Sequence, residues 1–193
     1  MEQHHLTKAG ELLLKYGPKS ITMDDIASQL GISKKTIYQE FANKQEIIER
    51  VVNQNIAQFE QDAAEAKNSA ASAIEETYLF DEIILGISGL VKTGFATEMS
   101  KYYPETWKNI EPRWNELLIH IITQNLSRGI SEQHYRLELD LEFTALLRFR
   151  QLRSVLNGEP VRPKNMPDST YLHKLTEFYL QAICTEKGRL LVR

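Results

Sequence analysis

TMDDIASQLGISKKTIYQEFANKQEI, residues 22–47, predicts two short helices joined by a tight turn. Thr22 can cap the first helix, and Asp25 lies near the positive end of that helix dipole. Gly31 suits the left-handed backbone conformation that ends a helix, and Ser33 can cap the second helix. The apolar residues of the first helix recur on one face, which predicts that this face is buried. They are Met23, Ile26, Ala27 and Leu30.

The second predicted helix has one apolar face and one polar face. Ile37 and Phe41 lie one turn apart and should face the core, together with Ile32 from the turn. A glycine-bearing turn followed by a helix with a basic outer face is typical of a helix-turn-helix that enters the major groove of DNA. The residues expected on the outer face are Lys34, Lys35, Tyr38 and Gln39.

Adjacent lysines on a helix also have a simpler interpretation, a solvated surface without function. For an isolated lysine pair that interpretation would be preferred. Here a helix that ends at Gly17–Pro18 precedes the pair, and Asn43 with Glu46 predicts the capped start of a fourth helix. This order of elements favours DNA binding. The helix that ends at Gly17–Pro18 is predicted from the spacing of Leu6, Ala9, Leu13 and Tyr16.

The arrangement resembles the N-terminal signature of the tetracycline-repressor (TetR) family of bacterial transcriptional regulators. That signature has the form T-x-x-x-I-A-x-x-x-G-V-S-x-x-T-[LI]-Y-x-x-F-x-x-K-x-x-L, and this chain follows it without a gap from Thr22 to Ile47. The resemblance covers about the first quarter of the protein. It implies an all-α fold with an N-terminal three-helix helix-turn-helix domain and a C-terminal helical bundle for ligand binding and dimerisation.

The resemblance also implies roles for the polar residues of the motif. Thr22 and Tyr38 would form hydrogen bonds with phosphates, and Lys44 would bind another phosphate. Gln39 would contact an adenine or a phosphate, and Ser33 completes the predicted DNA-binding set. The residues that would face base edges or the groove are Lys34, Lys35 and Thr36.

Glu40 departs from the family pattern, which often has histidine before the phenylalanine. Because phosphate repels a carboxylate, Glu40 should turn towards Lys44 or accept a hydrogen bond from a cytosine amino group. His4 and His5, close to the N-terminus, are expected to be disordered rather than metal-binding.

Charge and composition limit the possible partners. The net charge is -3, and residues 1–50 carry seven cations and seven anions, so any DNA-binding charge must be concentrated on one face. The single cysteine, Cys184, cannot form an intrachain disulfide. The apolar runs are shorter than the ~20 residues that span a bilayer, and the N-terminus does not have the pattern of a signal peptide. We therefore expect a cytoplasmic protein without a membrane partner.

The rest of the chain is predicted to be helical. The DNA-binding domain would occupy residues 1–48, and the ligand-binding and dimerisation domain residues 49–193. The predicted helices have approximate bounds 43–67 and 72–97, then a short helix bearing Trp107, a longer one through Arg128 that Pro112 begins or kinks, and two more at 138–156 and 168–186.

The last predicted helix has a broad face that is too apolar for water. In the resembled family the last two long helices of each subunit pair with those of a second subunit as a four-helix bundle. A single helix-turn-helix contacts too few bases for tight specific binding, which also favours a homodimer. The alternative is that this face packs within its own chain. The residues of this apolar face are Tyr171, Leu172, Leu175, Phe178, Tyr179 and Ile183.

The middle helices are predicted to enclose a small-molecule effector. Arg148 or Arg150 would pair with an anionic group of the ligand in an otherwise apolar stretch. Core packing remains the alternative for each lining residue, because aromatic residues at helical spacing are more often core than pocket. The predicted ligand-binding residues are Phe80, Leu85, Trp107, Trp114, Leu118, Phe143 and Leu147.

The sequence therefore predicts a homodimeric repressor that binds a palindromic operator in double-stranded DNA and releases it when a small molecule occupies the C-terminal domain. An architectural DNA-binding protein without an effector is the alternative. An enzyme is not predicted, because no nucleophile, base and acid occur in a recognisable constellation. The sequence contains neither a cofactor motif nor a set of metal ligands at suitable spacing.

Overall fold

The computed structural model describes residues 2–91, 94–157, 163 and 165–193. In this part of the chain the regular structure is helical, and one isolated β-bridge joins Tyr135 and Cys184. The prediction of an all-α fold is confirmed. The helices are α1 (Glu2–Tyr16), α2 (Met23–Leu30), α3 (Lys34–Glu40), α4 (Lys44–Ser69), α5 (Ala73–Leu90), α6 (Phe95–Tyr102), α7 (Pro104–Ser131), α8 (Leu141–Leu156), α9 (Asp168–Ile183) and α10 (Glu186–Arg189).

The chain divides into two compact units. The first unit comprises Met1–Gln58 and Gly89–Trp114, and the second comprises Phe59–Ser88 and Asn115–Arg193. Helices α4, α5 and α7 contribute residues to both units. The predicted boundary after residue 48 lies inside α4, so the first unit contains all of the predicted helix-turn-helix domain.

Local hydrogen bonds set the helix boundaries in the first unit. Thr22 Oγ1 accepts the N–H of Asp25 at 3.1 Å, and the Asp25 carboxylate accepts the N–H of Thr22 at 2.9 Å, which forms a capping box. Gly31 ends α2 with φ 68° and ψ 27°, a left-handed conformation that favours glycine. Ser33 caps α3 by accepting the N–H of Thr36 at 3.0 Å. The predicted caps and turn are confirmed.

The predicted apolar faces of α1, α2 and α3 form the core of the first unit. Tyr16 differs from the other apolar residues of α1, since it is 46% exposed. Leu30 and Ile32 are half-buried. The buried members are Leu6, Ala9, Leu13, Met23, Ile26, Ala27, Ile37 and Phe41.

Two predictions for the middle of the chain are wrong. The helix predicted at 72–97 ends at Leu90, and α6 begins after Gly94, whose φ of 87° favours glycine. The short helix predicted near Trp107 and the longer one that Pro112 would begin or kink are a single helix, α7, so the prediction that Pro112 begins a helix is wrong. The φ of proline is compatible with a helix, so Pro112 lies inside α7 without ending it, although it removes one hydrogen bond and crowds the carbonyl four residues before it.

The last predicted helix, 168–186, is also shorter than expected. It ends at Ile183, and Cys184 has extended backbone angles. The N–H of Arg136 donates to the carbonyl of Ile183 and the N–H of Thr185 to the carbonyl of His134, both at 2.9 Å, so the end of α9 and the residues after it pair with the segment that follows α7. The fully buried Cys184 thiol has its pKa raised to about 11 by burial, which makes it an unreactive core residue.

Candidate nucleic-acid interface and ligand cavity

The α3 helix has the two faces that the sequence predicts. Ile37 is 0% exposed and Phe41 is 1% exposed, so both anchor α3 in the core of the first unit. Tyr38 on the opposite side is 46% exposed. The other outward-facing side chains of α3 are Lys34, Lys35 and Gln39. A short helix is thereby held by apolar contacts while its polar face stays open to solvent.

The lysine side chains of α3 can form contacts with a new partner. Lys34 Nζ donates to Asp24 at 3.0 Å, and this hydrogen bond raises the pKa of Lys34. Both side chains are well exposed, so the ion pair contributes little and can exchange for a phosphate or a base edge. Within the described residues Lys35 forms no hydrogen bond or ion pair, so its ammonium group is available without breaking any contact.

Three hydroxyl-bearing residues of the predicted set have structural roles as well. The Thr22 hydroxyl donates to the Asp25 carboxylate at 2.7 Å, and this hydrogen bond lowers the pKa of Asp25. Ser33 and Thr36 share a hydrogen bond between their hydroxyls at 2.8 Å. Thr36 is half-buried, whereas Ser33 is exposed. These side chains fix the ends of α2 and α3.

Lys44 connects three segments of the first unit. Its Nζ donates to the carbonyls of Pro18 at 2.8 Å and Ile21 at 2.7 Å, and it lies 5.5 Å from the centre of the Tyr103 ring. Tyr103 in turn donates from its hydroxyl to the carbonyl of Pro18 at 3.4 Å. A phosphate contact by Lys44 would therefore use its remaining N–H or replace one of these carbonyls.

Glu40, the residue that departs from the family pattern, does not turn towards Lys44. Its carboxylate contacts Nδ1 of His5 at 2.7 Å, so the expectation that it turns towards Lys44 is wrong. His5 belongs to α1 and its side chain is 12% exposed, so the expectation of a disordered histidine pair is also wrong. The contact ties the end of α3 to α1, which no local sequence pattern could indicate because 35 residues separate the partners.

Helices α8 and α9 expose apolar side chains. Phe143 is 65% exposed and Leu147 is 45% exposed on α8, while Phe178 is 72% exposed on α9. The predicted apolar face of α9 is thus divided. Leu172, Tyr179 and Ile183 are buried within the chain, whereas Tyr171 and Leu175 are half-buried and Phe178 faces solvent.

The second unit contains a small cavity, of about 20 Å³. This volume holds roughly one water molecule. The lining combines polar and apolar side chains. The lining residues are Glu76, Thr77, Phe80, Ile121, Ile122, Asn125, Arg148 and Tyr179.

Of the seven predicted ligand-binding residues, Phe80 lines this cavity. Leu118 is fully buried and Leu85 is half-buried, but neither belongs to the lining. Phe143 and Leu147 are exposed, as described above. The two tryptophans, Trp107 and Trp114, belong to the first unit. Arg148, proposed as an anion partner, does line the cavity, whereas Arg150 is exposed.

A buried ion pair lies next to the cavity. Arg148 Nη2 donates to Asp81 and, at 2.9 Å, to Thr176, and the Thr176 hydroxyl donates to Asp81. The guanidinium also lies 4.9 Å from the centre of the Tyr179 ring. Burial raises the pKa of Asp81, although Arg148 and Thr176 oppose this shift. Burial likewise raises the pKa of the Tyr179 hydroxyl.

A second, partly buried network surrounds Arg128. Its guanidinium donates to Glu76 at 2.8 Å and to Glu132 at 2.7 Å. It also donates to the carbonyls of Lys67 at 2.9 Å and Ala70 at 2.8 Å, close to the end of α4. One side chain therefore satisfies carbonyls that the end of a helix leaves without partners.

Sequence reasoning missed the acidic and amide residues of these networks. Asp81 and Glu76 lie on α5, where a carboxylate interrupts an apolar run, and that interruption is the signal that could have indicated them. Asn125 gave no comparable signal. Its side chain donates to the carbonyl of Ala73 at 2.8 Å and accepts from the Tyr135 hydroxyl at 3.2 Å.

The described residues contain neither a cluster of metal ligands nor a membrane-spanning helix. No group of three or more histidine, cysteine, aspartate or glutamate side chains there is arranged to hold a metal ion. Among the helices that the structure describes, none combines the length and the apolar character needed to cross a bilayer.

Residues 6–51 match the family model described as bacterial regulatory proteins, tetR family. The chain is also similar to an uncharacterised HTH-type transcriptional regulator, YvaF, of Bacillus subtilis (strain 168). The two are 30% identical over 101 residues, which is 51% of this chain and 53% of that protein. The match thus spans about half the length of the relative.

Solved structures resemble the chain over nearly its full length. A TetR-family regulator from Agrobacterium tumefaciens has a TM-score of 0.77 at 18% identity, with 95% of this chain and 97% of that one covered. A complex of SmeT with triclosan has a TM-score of 0.71 at 14% identity, with 97% and 93% covered. At these identities the similarity shows a shared fold.

Proposed function

We propose, on the premise that the chain belongs to the TetR family of bacterial regulatory proteins, that it regulates transcription by binding double-stranded DNA as a homodimer in the cytoplasm. The observation that carries this proposal is the division of α3. Its apolar side is buried at Ile37, and its polar side, with Lys34, Lys35 and Tyr38, is exposed. A helix that is anchored on one side and basic on the other fits the major groove.

The contacts with DNA would follow from the position of each side chain. Lys35 and Gln39 would reach base edges, because both are exposed, and Lys34 would join them after leaving Asp24. Thr36 would contact the groove from its half-buried position. The residues proposed to bind phosphates are Thr22, Ser33, Tyr38 and Lys44.

A homodimer is supported by the exposed apolar side chains of α8 and α9, notably Phe143, Leu147 and Phe178. Clustered large apolar side chains on the surface indicate an interaction site. A two-fold dimer would place two recognition helices about 34–36 Å apart, one helical turn of DNA, so the operator would be palindromic.

The second unit is proposed to bind a small-molecule effector that releases the operator, which would make the protein a repressor. The cavity beside Glu76 and Arg148 supports this proposal, and a protein of the same fold, SmeT, forms a complex with triclosan. Ligand binding would favour a dimer whose recognition helices no longer match successive major grooves. An architectural DNA-binding protein is the alternative, and it would show no ligand-dependent change in operator affinity.

Lys35→Ala should reduce operator affinity and relax the base preference at one position in each half-site. The expected cost is about 1–3 kcal/mol, since a good contact to a base edge discriminates by that amount. Tyr38→Phe is the matched variant, because loss of a phosphate contact should weaken binding to all sequences equally. Mobility shifts with matched and mismatched operators measure both effects, and an unchanged ranking of operators with Lys35→Ala would refute its role in specificity.

Selection of bound fragments from the source genome tests the function as a whole. Recovery of a common palindromic sequence, with nanomolar to subnanomolar binding in a mobility shift, is the expected result. Binding that is equally strong to any sequence would support the architectural alternative. Absence of DNA binding would overturn the proposal.

A further inference from the structure

Glu40, the last residue of α3, is held by a residue of α1. Its Oε2 lies 2.7 Å from Nδ1 of His5, and the side chains of His5 and Glu40 are 12% and 20% exposed. A protonated imidazole neutralises the carboxylate, and a neutral imidazole with its proton on Nδ1 donates a hydrogen bond to it. In both of these forms His5 holds the Glu40 side chain towards α1.

The charge of Glu40 is unfavourable for the proposed contact between α3 and DNA. The helix carries two cations, Lys34 and Lys35, and one anion, Glu40. Glu40 directly follows Gln39, which is exposed on the face proposed to enter the major groove. A free carboxylate beside that face would offset one of the two positive charges and repel phosphate. The contact with His5 removes this repulsion.

The two cations that follow Glu40 in the chain have other partners. Lys44 donates to two backbone carbonyls, and Arg50 pairs with Glu46 at 3.0 Å. Pairing of either cation with Glu40 would disturb these contacts. Loss of the His5 side chain therefore leaves the Glu40 carboxylate without a ready replacement among them.

We propose that His5 is a positioning residue for DNA binding, which keeps the Glu40 carboxylate away from the phosphates and base edges of the operator. This inference rests on the proposed function, because it concerns the same DNA-binding surface. It gives α1, which lies outside the helix-turn-helix, a role in operator binding. His5 then affects operator affinity only while residue 40 carries a negative charge, and Glu40 does not select a base.

His5→Ala should weaken operator binding by about tenfold at low salt, because the released carboxylate repels phosphate at short range. His4→Ala is the matched control, since His4 is the neighbouring residue of α1 and its side chain is exposed. The control should bind the operator like the wild type. Mobility shifts with the full-length protein measure both affinities, and thermal melting shows whether each variant is folded.

Glu40→Gln should restore the affinity that His5→Ala loses, because an amide keeps the size of the side chain but carries no charge. In the Glu40→Gln background the loss caused by His5→Ala should fall below about twofold. If His5 only fixed the position of α1, the loss would be the same with either side chain at residue 40. An equal loss in both backgrounds, or no loss in either, would overturn the proposal.

Salt concentration provides a second readout that a purely structural role of His5 would not change. Ions screen the repulsion between a carboxylate and phosphate, so the loss caused by His5→Ala should be smaller at high salt. It should decrease from about tenfold at about 50 mM salt to less than about threefold at about 300 mM. A loss of the same size at both concentrations would contradict the proposed charge effect.

The ranking of matched and mismatched operators separates this role from base recognition by Glu40. Glu40→Gln should leave the ranking unchanged, whereas a changed ranking would show that Glu40 contacts a base and would refute the inference. If the wild type binds no DNA, the proposed function and this inference both fail. If the wild type selects an operator but the loss with His5→Ala does not depend on residue 40, the inference alone fails.

Discussion

Asp81→Ala should destabilise the second unit by about 3–5 kcal/mol, which is the cost of leaving a buried charge without its partner. Asp81 accepts hydrogen bonds from Arg148 and Thr176, and the Arg148 side chain is 3% exposed. Without the carboxylate, the partners that the guanidinium keeps within the described residues are Thr176, Gln151 and the Tyr179 ring. Urea unfolding followed by circular dichroism measures the change, as a lower midpoint at similar slope.

The double variant Asp81→Leu with Arg148→Met is the control for this prediction. It removes both charges and keeps apolar volume, and such replacements of buried ion pairs are often neutral or stabilising. The double variant should therefore be more stable than Asp81→Ala. If the two proteins unfold at the same denaturant concentration, the cost of Asp81→Ala arises from lost packing rather than from an uncompensated charge.

The first unit could be predicted from the sequence because its signals are local. The capping box at Thr22, the left-handed Gly31 and the cap at Ser33 each act within four residues. The apolar spacing around Ile37 then determines which face of α3 is buried. Gly94 was an equally local signal for the break between α5 and α6, but the apolar pattern on both sides suggested a continuous helix.

The cavity could not be predicted because its lining comes from four helices that are distant in sequence, α5, α7, α8 and α9. On α8 the apolar residues of the sequence also indicate the wrong face as the buried one. The buried face includes Thr144 and Arg148, whose polar groups have partners in the fold, whereas Phe143 and Leu147 on the exposed side are more apolar. Hydrophobicity alone therefore selects the side of α8 that faces away from the core of its own chain.

The exposed apolar side of α8 and α9 is expected to form the interface of a homodimer. Phe178→Glu tests this expectation directly. Phe178 is 72% exposed in the single chain, so a carboxylate at this position should not disturb the fold. In a homodimer formed through this face the same carboxylate would be buried against apolar side chains such as Phe143 and Leu147, which is strongly unfavourable. The variant should therefore sediment as a folded monomer at micromolar concentration.

Loss of the dimer should reduce operator affinity by about 100-fold or more, because the second half-site then no longer binds intramolecularly. Leu90→Glu is the matched control, since Leu90 is 67% exposed but lies on neither α8 nor α9. It should remain dimeric and bind the operator like the wild type. A dimeric Phe178→Glu protein with full operator affinity would show that this face is not the interface, whereas a monomer with unchanged affinity would remove the requirement for a dimer in DNA binding.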